Sequence, residues 1–150
     1  MKNLTKCLLI FIFLYSCGYQ PILSNKGSTF TYKNLYLEGD NSLSKLISKN
    51  LKSIKNENSR NSLEISSKII KNIASKDKKG NPDILDMSIN VKVKVLNIDN
   101  KIEKNFTEKI TYNNSSSKFK LKEFEKKQVS NLVQKISQDI NLYLQSISDL

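Results

Sequence analysis

The chain has 150 residues, of which 25 are basic and 14 acidic, giving a formal net charge of +11 at neutral pH. That length suffices for one domain with a modest core. Histidine is absent, so histidine-based catalysis and histidine metal sites are excluded.

The first residues have the pattern of a bacterial lipoprotein signal. An unbroken apolar run, Cys7–Tyr15, follows two lysines and is far shorter than the roughly 20 residues of a membrane-spanning helix. A cysteine, Cys17, then comes directly after the small Ser16 and three positions after Leu14. We therefore predict cleavage between Ser16 and Cys17, with Cys17 carrying N-palmitoyl and S-diacylglycerol groups. The alternative is an ordinary signal peptide that is cut elsewhere, with Cys17 incidental.

The predicted processing limits the chemistry and the partners of the mature chain. Residues 1–16 leave as the signal, and lipid occupies Cys17, so no free thiol, disulfide or thiolate metal site is expected. An exported protein rarely meets nucleic acid, and its basic charge therefore favours lipid head groups and lipid-linked sugar phosphates. Codon bias is the competing explanation of the lysines, because Arg60 is the only arginine. Residues 17–28 are predicted to form the lipidated tether, with Pro21 keeping the chain extended.

The first two predicted elements are a strand and a helix. The strand, residues 29–37, changes the parity of its apolar residues, which predicts either a bulge near Asn34 or a strand that is apolar on both faces. The helix, residues 42–56, has apolar residues at the i, i+3, i+4, i+8 and i+11 positions of one stripe. These residues are Leu43, Leu46, Ile47, Leu51 and Ile54.

Two further strands and a loop follow. Residues 62–74 favour a strand by parity, although Ile69, Ile70 and Ile73 also fit a helical stripe, so a helix remains the alternative. Residues 76–83 form a polar loop. The stretch 85–95 alternates apolar and polar residues through six repeats, which is hard to reconcile with a helix.

A hairpin is predicted after this strand, because apolar residues recur with shifted parity beyond Asp99 and Asn100. An Asp-Asn pair suits the positive φ angles of a two-residue turn. That turn would place three apolar pairs on one face of the sheet. The pairs are Val93 with Phe106, Ile89 with Ile110, and Met87 with Tyr112.

The last predicted element is a helix over residues 121–147. Its stripe consists of Val129, Leu132, Val133, Ile136, Ile140, Tyr143 and Ile147, while Glu123, Glu125, Lys126 and Lys127 are expected in solvent near its start. The order β-α-β-β-β-α predicts a single α+β domain, residues 29–150. It would be a two-layer sandwich with two α-helices packed on one face of a four-stranded mixed or antiparallel sheet.

The residues after the cysteine carry a family resemblance. Cys17 is followed by Gly-Tyr-Gln-Pro-Ile, and this start, together with the lipoprotein signal and the element order, resembles the lipopolysaccharide-assembly lipoproteins of the LptE (RlpB) family. The resemblance implies an outer-membrane lipoprotein, anchored on the periplasmic side, that plugs the β-barrel LptD. It would assist the placement of lipopolysaccharide in the outer leaflet. An unrelated envelope lipoprotein, acting as a scaffold or binding subunit of another complex, is the alternative.

We find no catalytic motif and no phosphate-binding loop, and we expect neither enzymatic activity nor a cofactor. Under the family resemblance, we expect lipopolysaccharide contacts among six lysines, since ammonium groups bind phosphates as point charges. They are Lys92, Lys94 and Lys109 on the hairpin, and Lys76, Lys78 and Lys79 in the loop before it. The alternative is that these are ordinary solvated lysines. A peripheral factor that binds anionic lipid by charge alone is a third interpretation.

Overall fold

The structure, a computed structural model, describes residues 29–98 and 100–148. The predicted signal, the cleavage site at Ser16 and Cys17, and the tether 17–28 lie outside the described residues and stay predictions. The described elements follow one another as β1 (Thr31–Tyr32), β2 (Asn34–Gly39), α1 (Asn41–Lys49), β3 (Ile54–Lys55), β4 (Ser62–Lys76), β5 (Pro82–Leu96), β6 (Lys101–Asn113) and α2 (Lys118–Ser148).

A four-stranded mixed sheet forms one layer, in the order β2-β4-β5-β6. Strands β4, β5 and β6 make the predicted antiparallel meander, while β2 runs parallel to β4 after the α1 crossover. Short β1 and β3 form a separate parallel pair. The predicted α+β fold and its β-α-β-β-β-α order are therefore confirmed.

The core lies between this sheet and the two helices. Its sheet side consists of Leu63, Ile65, Met87, Ile89, Val91, Val93, Val95, Phe106 and Tyr112. Its helix side consists of Leu43, Ile47, Leu132, Val133, Ile136, Ile140 and Leu144. Complete burial of one such aliphatic side chain contributes roughly 1.5–3 kcal/mol, so the two layers are held together mainly by apolar burial.

The first predicted strand is broken where its parity changes. The chain bends at Lys33, whose backbone N–H donates to Asn61 O at 2.7 Å, and this separates β1 from β2. Tyr32, Leu35 and Leu37, from both sides of the break, pack against the core. The bend lies one residue before the position at which the sequence predicted a bulge.

The predicted length of the first helix was wrong, because α1 ends at Lys49 rather than near residue 56. The following segment pairs with β1: Ile54 N donates to Phe30 O at 3.0 Å. Asn141 of α2 fixes the same segment, accepting a hydrogen bond from Lys52 N at 2.8 Å. Ile54 is consequently 56% exposed instead of lying on a helical stripe. Partners distant in sequence have replaced the local helical hydrogen bonds.

Residues 62–76 are a strand throughout, which decides against the helical alternative. The predicted hairpin register was wrong by two residues. Val91 rather than Val93 faces Phe106, and Met87 rather than Ile89 faces Ile110. The turn is longer than predicted, since pairing ends at Leu96 and Lys101, and Asn97 N donates to Asn100 O at 2.8 Å. A shift of two residues preserves parity, and the apolar residues therefore still face the helices.

Candidate functional site

The two ends of the sheet differ in what they present. At the near end, where the described chain begins, Thr29 and Phe30 lie beside Asn141 and Leu144 of α2. The far end consists of the 77–81 turn, the 114–117 segment and the start of α2. Asn114 joins these pieces, with its backbone N–H donating to Asp83 O at 2.7 Å and its Nδ2 to Pro82 O at 2.8 Å.

The three hairpin lysines lie on the sheet face opposite the helices, and two of them are paired. Lys94 faces Glu64 on one side and Glu103 on the other, and its ammonium forms an ion pair with Glu64. The hydrogen bond that Lys94 donates to Glu64 raises the pKa of Lys94 above its usual value. The positive charge of Lys94 is therefore already balanced by a carboxylate within the sheet.

Lys109 is similarly occupied. Its Nζ lies 2.7 Å from Asp86 Oδ2, while Thr111 donates to Asp86 Oδ1 at 2.6 Å. The hydrogen bonds from Lys109 and Thr111 hold the pKa of Asp86 below its ordinary range. Lys92 differs, because it is exposed and has no ion pair among the described residues. Of the hairpin set, Lys92 is thus the lysine with an unpaired charge.

Around Lys92 the sheet face is a polar surface. Ser66 and Asn105 flank Lys92 on the neighbouring strands, and Asn90 occupies the next row. Thr107 donates to Asn90 Oδ1 at 2.9 Å, so these side chains bond across strands. The face has no continuous apolar patch there and is suited to a hydrated surrounding.

The loop lysines are held by a tight turn at the far end. Asp77 organises the turn, accepting from the backbone N–H groups of Lys79 and Asn81 at 2.8 Å each. The hydrogen bonds from Asn81 lower the pKa of Asp77, so this carboxylate stays charged and the turn stays closed. Lys78 and Lys79 are exposed on this turn, and Lys76 is exposed at the end of β4.

Sequence reasoning missed a second basic group at the same end. Helix α2 begins at Lys118, and Lys118, Lys120 and Lys122 are all exposed on its first two turns. Phe119, among these lysines, is 76% exposed. Alternation of lysine with large apolar residues in residues 118–124 was the available signal. We call the set Lys76, Lys78, Lys79, Lys118, Lys120 and Lys122 the far-end basic surface.

A cleft with an aromatic floor lies within this surface. Tyr112, Leu121 and Phe124 form the floor, and Lys120 lies at its rim. The rings of Tyr112 and Phe124 are in tilted contact, with centroids 5.4 Å apart. An apolar floor beside the Lys120 ammonium is complementary to a ligand that carries acyl chains and phosphates.

A buried polar cluster supports the floor. Glu125, predicted in solvent, is instead partly buried and accepts from the Tyr112 hydroxyl at 2.6 Å and from Lys71 Nζ at 2.5 Å. Burial raises the pKa of Tyr112, and its hydrogen bond to Glu125 raises it further. Burial also raises the pKa of Glu125, but the bonds from Lys71 and Tyr112 outweigh it and leave that pKa lowered. Tyr112 is consequently a neutral donor that ties β6 to α2.

The described residues contain neither a membrane-spanning helix nor a metal-binding group. Neither helix in residues 29–98 and 100–148 is long and apolar enough to cross a membrane. Within the same part of the chain, cysteine and carboxylate side chains form no group able to hold a metal ion.

Comparisons with known proteins identify structural relatives. Neither a protein-family model nor a curated protein matches the chain. Among solved structures, rare lipoprotein B from Shewanella oneidensis matches with a TM-score of 0.60 and 14% identity, over 77% of this chain and 94% of that chain. Lipoprotein B from Nitrosomonas europaea matches with a TM-score of 0.54 and 15% identity, over 83% and 90%. A minor lipoprotein from Acinetobacter baumannii matches with a TM-score of 0.50 and 14% identity, over 75% and 94%. The structural neighbours of this chain are therefore rare lipoprotein B (RlpB) proteins, whose fold it shares.

Proposed function

We propose that the chain is a lipid-anchored envelope lipoprotein of the LptE (RlpB) class, which plugs and supports an LptD-like outer-membrane β-barrel and assists lipopolysaccharide assembly. The observation that carries the proposal is the fold match to rare lipoprotein B, which spans 94% of that protein. The predicted lipoprotein signal, residues 1–16 followed by Cys17, supports it independently. The role assigns no chemical step and no cofactor to the chain.

The polar face of the sheet fits the inside of a barrel. Lumens of outer-membrane barrels are polar and hydrated, unlike their lipid-facing exteriors. Hydroxyl and amide side chains such as Ser66, Asn90 and Asn105 cover the middle of this face. They offer many hydrogen-bonding groups without an apolar patch that would need to be buried.

The far-end basic surface is the proposed contact for lipopolysaccharide. Its lysines are exposed, whereas Lys94 and Lys109 on the sheet face already have carboxylate partners. The cleft over Tyr112 and Phe124 would accept acyl chains beside those ammonium groups. This proposal moves the principal contact from the hairpin lysines to the far end.

A co-purification experiment tests the proposed role. The full chain, tagged at its C-terminus, should bring down a large β-barrel from detergent-solubilised outer membranes. Recovery of another envelope complex in place of a barrel would support the scaffold alternative and overturn the proposal. A Cys17→Ser variant should no longer incorporate labelled palmitate, and continued incorporation by that variant would contradict the proposed lipidation.

The ligand contact is tested with two matched triple variants. Replacing Lys118, Lys120 and Lys122 with Ser should weaken capture of the purified full chain on lipopolysaccharide micelles by about tenfold or more, since three exposed cations are removed. Replacing Lys92, Lys94 and Lys109 with Ser removes the same charge from the sheet face and should change capture less. Equal losses in the two variants would show that net charge alone determines binding.

A further inference from the structure

We propose that the exposed edge of β6 pairs with β6 of a second copy of this chain, antiparallel, about a two-fold axis at Phe106. This inference does not depend on the barrel role. It concerns the chain outside a barrel, since a domain enclosed in a lumen could not pair with a second copy. The occupant is argued from the charges along that strand.

Strand β6 lies at the end of the main sheet and is 13 residues long. Its backbone pairs with β5 on one side, and no backbone hydrogen bond of the described residues uses its other side. A long strand edge of this kind presents unpaired N–H and C=O groups to any extended chain. Natural proteins usually protect such edges with charged residues, so the arrangement of the charges decides which partner is admitted.

When two copies of β6 lie antiparallel, the charged residues of one copy face residues of opposite charge in the other. With Phe106 facing Phe106 of a second copy, Lys104 faces Glu108 and Glu103 faces Lys109, each twice by symmetry. Ile102 faces Ile110 in the same register. Opposite charges and apolar pairs directly across an antiparallel ladder stabilise it. Every charged residue between the two isoleucines therefore meets its opposite.

Neighbouring registers lack this match. A two-fold axis at Asn105 would place Lys101 opposite Lys109, and an axis at Thr107 would place every charged residue opposite an uncharged one. Parallel pairing of identical residues would set like charges together along the whole strand. Like charges directly opposite destabilise a sheet, so the edge selects a single self-pairing register.

Local contacts leave Lys104 and Glu108 available, whereas Lys109, which is itself 57% exposed, would have to share its charge between Asp86 and Glu103 of the second copy. Lys104 has no ion pair among the described residues, and its Nζ lies 4.8 Å from the Tyr143 ring centroid and 5.4 Å from that of Phe106. The Glu108–Lys135 ion pair is at the surface, where the lysine side chain is 66% exposed. Such exposed pairs contribute little and exchange partners readily.

The helix layer does not obstruct the edge. Helix α2 packs over β5 and β6, and an open groove beside β6 is lined by Lys104, Leu142 and Tyr143. Leu142 is an apolar side chain that is 48% exposed there. In the paired form the two grooves would adjoin across the axis, covering Leu142. The symmetry is that of an isologous dimer, the commonest arrangement of homo-oligomers.

Charge reversal tests the register. The full lipidated chain, in density-matched detergent, is expected to sediment as a dimer that dissociates on dilution. Lys104→Glu and Glu108→Lys each create two like-charge pairs and should weaken self-association by about tenfold or more. An equimolar mixture of the two variants makes only opposite pairs and should form a heterodimer. Lys101→Glu, whose partner is the uncharged Thr111, should leave the dimer intact.

Several outcomes would overturn the proposal. They are a monomeric wild-type chain at every concentration, a dimer unaffected by Lys104→Glu, or a mixture that fails to pair. Far-ultraviolet circular dichroism checks that each variant is folded. If a single variant is unfolded, the double variant Lys104→Glu/Glu108→Lys decides, because it restores both opposite pairs and should dimerise as the wild type does. An edge that binds only a different protein would also contradict the self-pairing.

Discussion

The starts of the two helices are built in contrasting ways. At the start of α1, Asp40 caps the helix by accepting from Ser42 N and Leu43 N at 3.1 Å each. Buried Ser44 bonds to Glu38 O at 2.8 Å and to Ser67 Oγ at 2.7 Å. At the start of α2, Lys118, Lys120 and Lys122 lie in the first two turns, the bond from Lys120 N to the capping Ser117 Oγ is longer, at 3.4 Å, and Phe119 is exposed.

The start of α1 is built to stabilise its helix, whereas the start of α2 is better suited to binding an anion. The positive end of a helix dipole favours carboxylates, so lysines at the start of α2 oppose helix stability while attracting anions. The start of α1 shows that this chain does place helix-stabilising residues where stability alone matters. The α2 start is therefore where we expect substitution to stabilise the fold and weaken ligand binding.

The largest expected effect comes from substituting Gly39, the last residue of β2, which directly precedes the Asp40 cap of α1. This residue has a φ of +77°, and a Cβ added there would collide with the Ser67 carbonyl. Gly39→Ala should lower the free energy of unfolding by about 3 kcal/mol, because a strained backbone and a backbone clash add together. Urea unfolding followed by circular dichroism measures the change.

Gly80 provides a matched control for Gly39. Its φ is +84°, but no atom lies within 4 Å of an added Cβ. Gly80→Ala should therefore cost only the backbone strain, about 1 kcal/mol. Similar losses in the two variants would show that close packing against Ser67 is unimportant.

A smaller loss is expected from Ser44→Ala, which removes the hydroxyl bond to the Glu38 carbonyl and leaves the buried Ser67 hydroxyl with Asp40 O, at 3.3 Å, as its remaining partner. We expect a decrease of about 2 kcal/mol in the free energy of unfolding. Ser44→Ala/Ser67→Ala should cost less than the sum of the single changes, because the two hydroxyls bond to each other. Strict additivity in urea unfolding would contradict this. Ser48→Ala, at a less buried position of the same helix, is the control and should be nearly neutral.

The sequence predicted which side chains face the core better than it predicted where the elements end. Period-two alternation in residues 85–95 and the stripe from Leu132 to Ile140 determine which side chains face the core, and these residues lie in or against it as expected. Leu46 and Ile73, also predicted on apolar faces, are exposed, and the buried Leu144 was not predicted. Local periodicity does not determine where elements end. Residues 50–56 left the predicted helix because Phe30 and Asn141 bond to them from distant parts of the chain.

Local sequence patterns also could not predict the register of the hairpin or the ion pairs of its lysines. Moving the hairpin by two residues leaves every side chain on its face, so alternation alone could not distinguish Val91 from Val93 as the partner of Phe106. Charge patterns did not show that Lys94 and Lys109 would be paired, since their carboxylates lie on neighbouring strands. The far-end basic surface likewise required the fold, which brings the 77–81 turn and the start of α2 to one end.

Helix α2 offers a substitution that should increase stability. Ser117 caps the helix, its Oγ accepting from Lys120 N at 3.4 Å. A glutamate at position 120 would complete a reciprocal capping box and reverse the unfavourable charge at the helix start. Lys120→Glu should raise the free energy of unfolding by about 0.5–1 kcal/mol and reduce capture on lipopolysaccharide. Lys127→Glu, beyond the first turns, should be nearly neutral for stability, and an equal gain there would argue against a capping effect.

The smallest effect expected is a pH dependence at the far end, where a partly buried carboxylate supports the cleft floor. Burial raises the pKa of Glu125, but the bonds from Lys71 and Tyr112 outweigh it and leave that pKa below its ordinary value near 4.5. A lowered folded-state pKa means that the contribution of Glu125 is fully present above pH 4.5 and is lost as the pH falls through the folded pKa. In Glu125→Gln the acid limb of the stability curve should be shallower, whereas exposed Glu123→Gln should keep the wild-type slope. Parallel curves for wild type and Glu125→Gln would show that the cluster with Tyr112 and Lys71 adds no charge-dependent stability.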